Sequence, residues 1–322
     1  MRDRLFLAVF LLGAGVLLFL GRDLLQGSIV LAWGIAFGGT TTVAVLGVMV
    51  YRFRIELRAS RHEIARTEAE LSLARKVQAE LFPRQLPRSG GLEFAATCIP
   101  ARGISGDYYD VLQLQDGRII FVVADISGKG ISAALLMANL QALLRALASI
   151  GTSPADVCSR LNYQLHQVIG DSRFATFFYA EWNRNERRLC YVNAGHNPPI
   201  LFAAAGNRLL TCGGIPLGIF PDAVFEMDDV ELLSGDLLVL YSDGITEAPS
   251  RRDSAEEFGE ARLEAVVRAH REAPPPEISR RILEAVREWS HPEADDDMTL
   301  MIVKVTELDS ARPREQPAGG QP

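Results

Sequence analysis

Four short acidic segments of the chain carry the residue types that bind metal ions through oxygen. They are residues 105–110, 125–130, 242–244 and 295–299. Asp125 directly follows the apolar run IIFVVA, and Asp243 follows LLVLYS. A carboxylate at the end of a buried strand is costly to desolvate unless it is paired, and few basic residues stand beside these positions. Hard divalent cations such as Mg²⁺ or Mn²⁺ prefer oxygen ligands. A single Asp-Gly pair is more often a turn, but the four segments together favour an oxygen-only metal site.

The elements that must position these carboxylates come in blocks of strands and helices. The predicted strands are residues 92–99, 118–124, 174–182, 188–193, 200–203, 225–232, 237–241 and 299–306. The predicted helices are residues 131–150, 154–168, 254–270 and 276–289. Segments 225–232 and 237–241 are expected to pair with each other. Blocks of this kind favour an α+β fold of layered antiparallel sheets flanked by helices over a doubly wound parallel sheet.

The N-terminal part of the chain predicts two membrane spans. Residues 5–21 and 24–51 contain no charged side chain, and the loop between them carries only Arg22 and Asp23. About 20 helical residues are enough to cross a bilayer core. Arginines precede the first stretch and follow the second, which by the positive-inside rule puts both ends in the cytoplasm. The expected arrangement is a helical hairpin in the cell's inner membrane, a multi-pass anchor with a cytoplasmic main domain. A cleaved signal peptide and a buried core hairpin are the competing interpretations.

A charged segment without glycine or proline follows the second apolar stretch. Leu57, Ile64 and Leu71 recur every seven residues, which predicts a long helix over 52–82 that either pairs with a second copy as a coiled coil or packs alone on the next domain. The predicted parts are therefore a membrane hairpin at 1–51, a helical linker at 52–88, a main domain at 89–307 and a disordered polar tail at 308–322.

Charge and cysteine content exclude several function classes. The net charge of −7 is the sum of +1 over residues 1–51, +4 over residues 52–88 and −12 over residues 89–322. An acidic main domain argues against nucleic-acid binding, which needs cations to replace the counterions of phosphate. The four cysteines form no CxxC pair, so a zinc knuckle or a thioredoxin-type site is excluded.

A resemblance to a known family rests on seven segments in order. They read GDYYDV, VVADISGKGISAALLMA, FATFFYAEW, NAGHNPPILF, GGIPLGIF, GDLLVLYSDGITEA and DDDMTLMIVKV, and ARKVQAELFP precedes them. This set resembles the bacterial SpoIIE/RsbU-like branch of the type 2C (PPM) metal-dependent protein phosphatases over about residues 74–306. The resemblance implies an αββα sandwich with two divalent cations, Mn²⁺ or Mg²⁺, between the sheets.

The resemblance also implies which residues hold the ions. Asp125 would bridge both ions, and the carbonyl oxygen of Ile126 would bind one of them. Asp107 would help to hold that same ion, whereas Asp243 and Asp296 would hold the other. Two ions about 3.5–4 Å apart can share a water molecule and direct it at a phosphoester. Asp125 and Asp243 would act in catalysis through that water.

Five further residues are candidates for other roles at or near the site. Asp297 neighbours Asp296 and leaves a one-residue alternative for the metal ligand. Ser127 stands where eukaryotic relatives have a histidine, so the proton donor to the leaving group is unassigned. Arg102 is a candidate phosphate ligand. Lys129 is interpreted as a surface-loop lysine, with contact to phosphate as the alternative. His196 is interpreted as a turn residue with satisfied hydrogen bonds rather than a catalytic group.

The function expected from these residues is a membrane-anchored protein serine/threonine phosphatase. Its expected substrate is a phosphorylated regulatory protein of the STAS anti-anti-sigma type, and a homodimer through the linker helix is a further expectation. The alternative is a catalytically inactive scaffold that keeps the fold for signalling. A nucleotide cyclase, suggested superficially by ISGDYYD, is excluded because its Glu-Phe pair is missing.

Overall fold

A computed structural model describes residues 29–101, 103–150, 152–170, 173–291 and 296–306, together with Gly15 and Phe19. The chain divides into two compact units, Met1–Glu70 and Leu71–Pro322. The first predicted membrane stretch and the predicted tail lie outside the described residues, apart from Gly15 and Phe19 in the former.

The helix that we label α1 runs without interruption over Ile29–Ala79, within the first described range of the chain. No break separates the second apolar stretch from the charged segment that follows, because neither contains a proline. By length and composition, this helix contains a part that could cross a membrane. In its apolar half, the hydroxyls of Thr40, Thr41 and Thr42 donate hydrogen bonds to backbone carbonyls four residues earlier. These polar groups are thus satisfied within the helix, as an apolar surrounding requires.

Two sheets form the body of the second unit. The five-stranded sheet has the order β1-β11-β10-β6-β7, and the other has the order β2-β3-β4-β5-β8, with β9 pairing with β5. The strands are β1 Leu92–Ile99, β2 Tyr108–Gln113, β3 Ile119–Ile126, β4 Ala175–Asn183, β5 Arg188–Ala194, β6 Ile200–Ala203, β7 Gly206–Leu209, β8 Gly213–Gly214, β9 Asp228–Glu231, β10 Leu237–Tyr241 and β11 Met298–Val305. Neighbouring strands are antiparallel except for β5 and β8.

Five helices follow α1 in the described part of the chain. They are α2 Ile131–Leu147, α3 Pro154–His166, α4 Asp243–Thr246, α5 Gly259–His270 and α6 Pro275–Trp289. Helices α2 and α3 pack on the six-stranded sheet, and α5 and α6 pack on the five-stranded sheet. The layers therefore run helix, sheet, sheet, helix, and the predicted α+β sandwich is confirmed.

Strand β3 shows how side-chain alternation builds these layers. Ile119, Phe121 and Val123 point into the core between the two sheets. Ile120 and Val122 point to the other face, into the core beneath α2 and α3. Because successive side chains on a strand face opposite sides, a strand buried on both faces reads as a continuous apolar run. Asp125 near its end is therefore held by packing on both sides.

The structure corrects two details of the predicted elements. Segments 225–232 and 237–241 do not pair with each other: β9 joins β5 in the six-stranded sheet, and β10 lies between β11 and β6 in the other. The turn at Gly235, which has a φ of +88°, links one sheet to the other. Strand β2 was not predicted, because the buried Asp110 interrupts its apolar pattern. That carboxylate accepts hydrogen bonds from Tyr108 and Arg145.

The inter-sheet core supplies the stability that the domain needs. Leu240 on β10 is fully buried in this core, whereas Leu233 is 48% exposed in the turn before the strand. Leu240→Ala is expected to lower the free energy of unfolding by about 3 kcal/mol through lost burial and a residual cavity. Leu233→Ala is the control and should change it by less than about 0.5 kcal/mol. Urea unfolding followed by tryptophan fluorescence measures both; equal effects would contradict the assigned core.

Candidate metal centre

The predicted carboxylates meet at one edge of the sandwich, where strands of both sheets end. Asp107 precedes β2, and because Tyr108 pairs with Ala124 in the register, it lies beside Asp125 near the end of β3. Asp243 begins α4 directly after β10, and β10 pairs with β11. Asp296 precedes β11, so it lies at the same end as Asp243. The sandwich thus brings together residues that are far apart in the sequence.

Asp297 is fully engaged as a hydrogen-bond acceptor for the loop that carries Asp107. Its Oδ1 accepts a hydrogen bond of 2.8 Å from the Ala101 amide. Its Oδ2 accepts bonds of 2.8 Å from the Ser105 hydroxyl and 2.7 Å from the Gly106 amide. Three donors leave this carboxylate little capacity to bind an ion, so it acts as a clamp between the two loops.

Asp296, by contrast, accepts only one backbone hydrogen bond among the described residues. Its Oδ1 accepts a hydrogen bond from the Asp297 amide at 2.9 Å. Its Oδ2 lies 2.8 Å from the Nζ of Lys129 in an ion pair that is partly exposed. Asp295 and Arg102 lie outside the described residues.

Asp107 is a buried carboxylate that lacks a full set of partners. Its Oδ2 has no hydrogen-bond partner among the described residues. Burial raises the pKa of Asp107 well above its ordinary value, and repulsion from Asp125 raises it further. A buried oxygen without a partner is costly, and a hard cation is a suitable partner for it.

The neighbouring carboxylates repel one another. Burial, followed by repulsion from Asp243, raises the pKa of Asp125 to about 6. Burial and then Asp296 raise the pKa of Asp243, while Lys129 lowers it. The donor set at this edge is made of oxygen atoms with excess negative charge, which suits divalent cations. A like-charged set of this kind is typical of a functional site.

Two glycines allow the loops to approach closely enough to form this set. A Cβ on Gly106 would lie 3.0 Å from the carbonyl oxygen of Ile126, and a Cβ on Gly244 would lie 2.1 Å from that of Asp297. Any larger residue at position 244 would push the Asp243 and Asp297 segments apart. The Ile126 carbonyl thus lies at the edge occupied by the carboxylates, and its role as a ligand stays a prediction.

Ser127 is engaged with the backbone rather than with the carboxylates. Its amide donates to the Phe174 carbonyl at 2.9 Å, and its hydroxyl accepts from the Phe174 amide at 2.9 Å. These two hydrogen bonds fix the start of the loop that leads to α2. The serine therefore has a structural role where the eukaryotic relatives have a histidine.

His196 differs from its interpretation as a satisfied turn residue. Its ring is buried, with Nδ1 2.8 Å from the hydroxyl of Thr176, and Nε2 has no partner among the described residues. Burial lowers the pKa of His196 to about 4, so the ring is neutral at pH 7. Thr176 pairs with Asp125 across β3 and β4. The histidine thus supports the strand beside Asp125 without touching that carboxylate.

Gln78 is a site residue that sequence reasoning missed. It lies near the end of α1 and is buried. Its Nε2 donates to the Ser105 carbonyl at 2.7 Å, and its Oε1 accepts from the Ser105 amide at 2.9 Å. The sequence feature that could have indicated it is a polar glutamine between Val77 and Leu81, within a stripe of apolar residues. The helix is thus joined directly to the loop that carries Asp107.

Comparison with known proteins decides the family. The family model for Stage II sporulation protein E (SpoIIE) matches residues 115–306, more than half of the chain. The chain belongs to the SpoIIE family. It is thus a protein serine/threonine phosphatase with a PP2C-like fold.

Relatives of this SpoIIE-family chain include proteins of known structure. It is 30% identical over 258 residues to phosphoserine phosphatase RsbU of Bacillus subtilis, covering 80% of this chain and 75% of RsbU. The RsbU and RsbW domains of a Mycobacterium tuberculosis protein match at a TM-score of 0.57 and 28% identity, covering 67% of this chain and 60% of that one. The SiaA-PP2C domain of Pseudomonas aeruginosa matches at a TM-score of 0.64 and 20% identity, covering 74% and 97%.

Burial of Asp125 and the repulsion at this edge make the stability of the ion-free protein depend on pH. Because the pKa of Asp125 rises from 3.8 to about 6 on folding, the folded state binds the proton more tightly than the unfolded chain. The stabilisation is complete below the unfolded pKa and is lost as pH rises through about 6. The melting temperature of EDTA-treated protein should therefore fall over this window, and Asp125→Asn should make the fall shallower.

Glu186→Gln is the matched control, since Glu186 is exposed in the hairpin between β4 and β5, at the far end of the strands. Its melting curve should follow that of the wild type at every pH. A fall in the Asp125→Asn variant as steep as in the wild type would contradict the raised pKa of Asp125. Circular dichroism at a series of pH values measures all three proteins.

Proposed function

We propose that this chain is a membrane-anchored phosphatase that uses two divalent cations, Mn²⁺ or Mg²⁺, to hydrolyse phosphoserine or phosphothreonine on a regulatory protein. The observation that carries the proposal is the unpartnered, buried Oδ2 of Asp107 beside a like-charged set of carboxylates. The proposed ligands are the carboxylates of Asp107, Asp125, Asp243 and Asp296 and the carbonyl of Ile126. When bound, two such ions polarise a phosphoryl group and acidify the attacking water molecule.

The chain's own residues prepare this chemistry by fixing positions in advance. Asp125 is held near the end of a strand that is buried on both faces. Asp297 and Ser105 fix the loop that carries Asp107. Gly244 lets the Asp243 turn approach the Asp297 backbone. Because these positions are set by backbone pairing and hydrogen bonds, little reorganisation is needed during the reaction.

A regulatory protein of the STAS kind is the proposed substrate. RsbU, the relative named above, is a phosphoserine phosphatase. The Mycobacterium tuberculosis structure holds an RsbU and an RsbW domain together. These two relatives cover 80% and 67% of the chain, and their names support a phosphorylated signalling protein rather than a small metabolite as the substrate class.

The membrane anchor is proposed from the first half of α1. Trp33, Phe37 and Val48 are among its exposed apolar side chains, and Arg52 and Arg54 follow. Apolar exposure over about 20 residues fits a bilayer core, and the arginines favour a cytoplasmic catalytic domain. The second span of the predicted hairpin, at residues 5–21, remains a prediction.

The linker half of α1 is proposed to carry regulation. Leu57 and Ile64, seven residues apart, are both exposed, which supports pairing with the helix of a second copy. The buried pair between Gln78 and Ser105 would connect any movement of this helix to the Asp107 loop. Two sites joined by such a contact can be coupled in free energy.

Asp243→Asn tests the proposed chemistry. With Mn²⁺ and a serine-phosphorylated STAS protein, the variant is expected to lose about a hundredfold or more in kcat, because a neutral amide binds a divalent cation poorly. Asp116→Asn, far from the site, is the control and should keep wild-type activity. Phosphate release measures turnover. An Asp243→Asn variant that retains full activity would contradict the ligand assignment, and an inactive wild type would support the scaffold alternative.

Gln78→Leu tests the contact between the linker and the site. The variant keeps the side-chain volume but leaves the amide and carbonyl of Ser105 without their partner, at a cost of about 1–3 kcal/mol. Calorimetric titration of the EDTA-treated protein should show weaker Mn²⁺ binding, by about tenfold. Glu80→Gln, two residues away and exposed, should bind Mn²⁺ as the wild type does. Unchanged binding in Gln78→Leu would show that the contact does not reach the ions.

A further inference from the structure

Lys129 brings a positive charge into the group of carboxylates. Its Nζ lies 2.8 Å from the Oδ2 of Asp296, and its charge also acts on Asp243. We propose that Lys129 is a tethered counter-ion, which neutralises Asp296 while no divalent cation is bound and is released by ion binding to contact the substrate's phosphoryl group. This inference rests on the proposed phosphatase function and assigns a phosphate ligand to it.

The first step of the argument is that Lys129 and an ion compete for one oxygen. The Oδ1 of Asp296 already accepts the Asp297 amide. Oδ2, the oxygen that Lys129 contacts, is therefore the one left for a divalent cation. An ammonium group and a divalent cation repel each other strongly at contact distance, so binding of the ion requires the lysine to leave.

The second step of the argument is that displacing Lys129 from Asp296 by a divalent cation costs little free energy. The side chains of Lys129 and Asp296 are 41% and 45% exposed. An ion pair as exposed as this one stabilises a protein only slightly, because water and salt screen it. A divalent cation with several carboxylate ligands can therefore displace the lysine without a large opposing free energy.

The third step is that the released lysine remains near the site. Its loop starts at Ser127, which is fixed by two hydrogen bonds to Phe174. Gly128 and Gly130 flank Lys129 with φ of +99° and +81°, conformations that glycine adopts without strain. The loop follows Asp125 and Ile126 directly, so the flexible four-carbon stem keeps the ammonium within reach of the ions. A lysine ammonium is a common point-charge ligand for phosphate.

The two roles predict opposite effects of one substitution. Lys129→Met removes the competitor in the ion-free protein and the repulsion in the ion-loaded protein, so Mn²⁺ should bind more tightly, by about threefold to fivefold. The same variant loses a phosphate contact, so inorganic phosphate should inhibit it about tenfold more weakly. A lysine that merely held the loop in place would give weaker Mn²⁺ binding instead.

The experiment uses the full chain in wild-type, Lys129→Met, Lys129→Arg and Lys76→Met forms. Calorimetry measures Mn²⁺ binding to the EDTA-treated proteins, and the inhibition constant of inorganic phosphate is measured on the Mn²⁺-loaded proteins. Lys129→Arg should restore inhibition by phosphate, and Lys76→Met, on the exposed face of α1, should match the wild type in both measurements.

Two results would overturn the inference. Lys129→Met with wild-type values in both measurements, or with weaker Mn²⁺ binding, would overturn the role of this lysine while leaving the phosphatase proposal standing. A wild-type protein that binds no Mn²⁺ would overturn the phosphatase proposal, and the lysine's role with it. Failure of the inference is thus seen in the Lys129→Met variant, and failure of the phosphatase proposal is seen in the wild-type protein.

Discussion

Repulsion between like charges at one edge of the sandwich is the constraint on which the site depends. Asp125 belongs to one sheet and Asp243 follows a strand of the other, and each disfavours ionisation of its neighbours. The two sheets stay together because Phe121, Phe178 and Met301 are among the side chains that fill the space between them. Apolar burial thus holds together charges that would otherwise separate. The free energy gained by burying the core thus offsets the repulsion among the carboxylates.

Much of this fold could be predicted from alternation and block order in the sequence. Strands with uniform apolar runs, such as β3 and β10, are visible because both of their faces are buried. Strand β2 is not visible in this way, since the buried Asp110 has Tyr108 of the same strand and the distant Arg145 of α2 as partners. The false pairing of segments 225–232 and 237–241 has a similar cause: nearness in sequence predicts pairing, and only tertiary packing sends β9 to the other sheet.

The site, like the fold, could be predicted from the sequence only in part. The acidic residues and their neighbouring glycines predicted an oxygen-ligand centre, but the sequence alone left Asp296 and Asp297 as alternatives. Our proposal of Asp296 as the ligand rests on Ala101 and Gly106, which lie nearly two hundred residues earlier and whose amides donate hydrogen bonds to the oxygens of Asp297. Likewise, Gln78 and His196 gain their roles only from the partners that the fold brings to them. A pattern of residue types identifies the chemistry, and contacts between distant segments decide which member of the pattern performs it.

The clamp formed by Asp297 affects the order in which contacts of the domain can form during synthesis. It connects Gly106 to a residue 191 positions later, just before β11, which fits between β1 and β10. Gln78 can fix the loop that carries Asp107 early in synthesis, because it precedes the loop in the chain. The hydrogen bonds to Asp297 form only after nearly the whole domain has been synthesised. The order of the chain thus makes this clamp one of the last contacts of the domain to form.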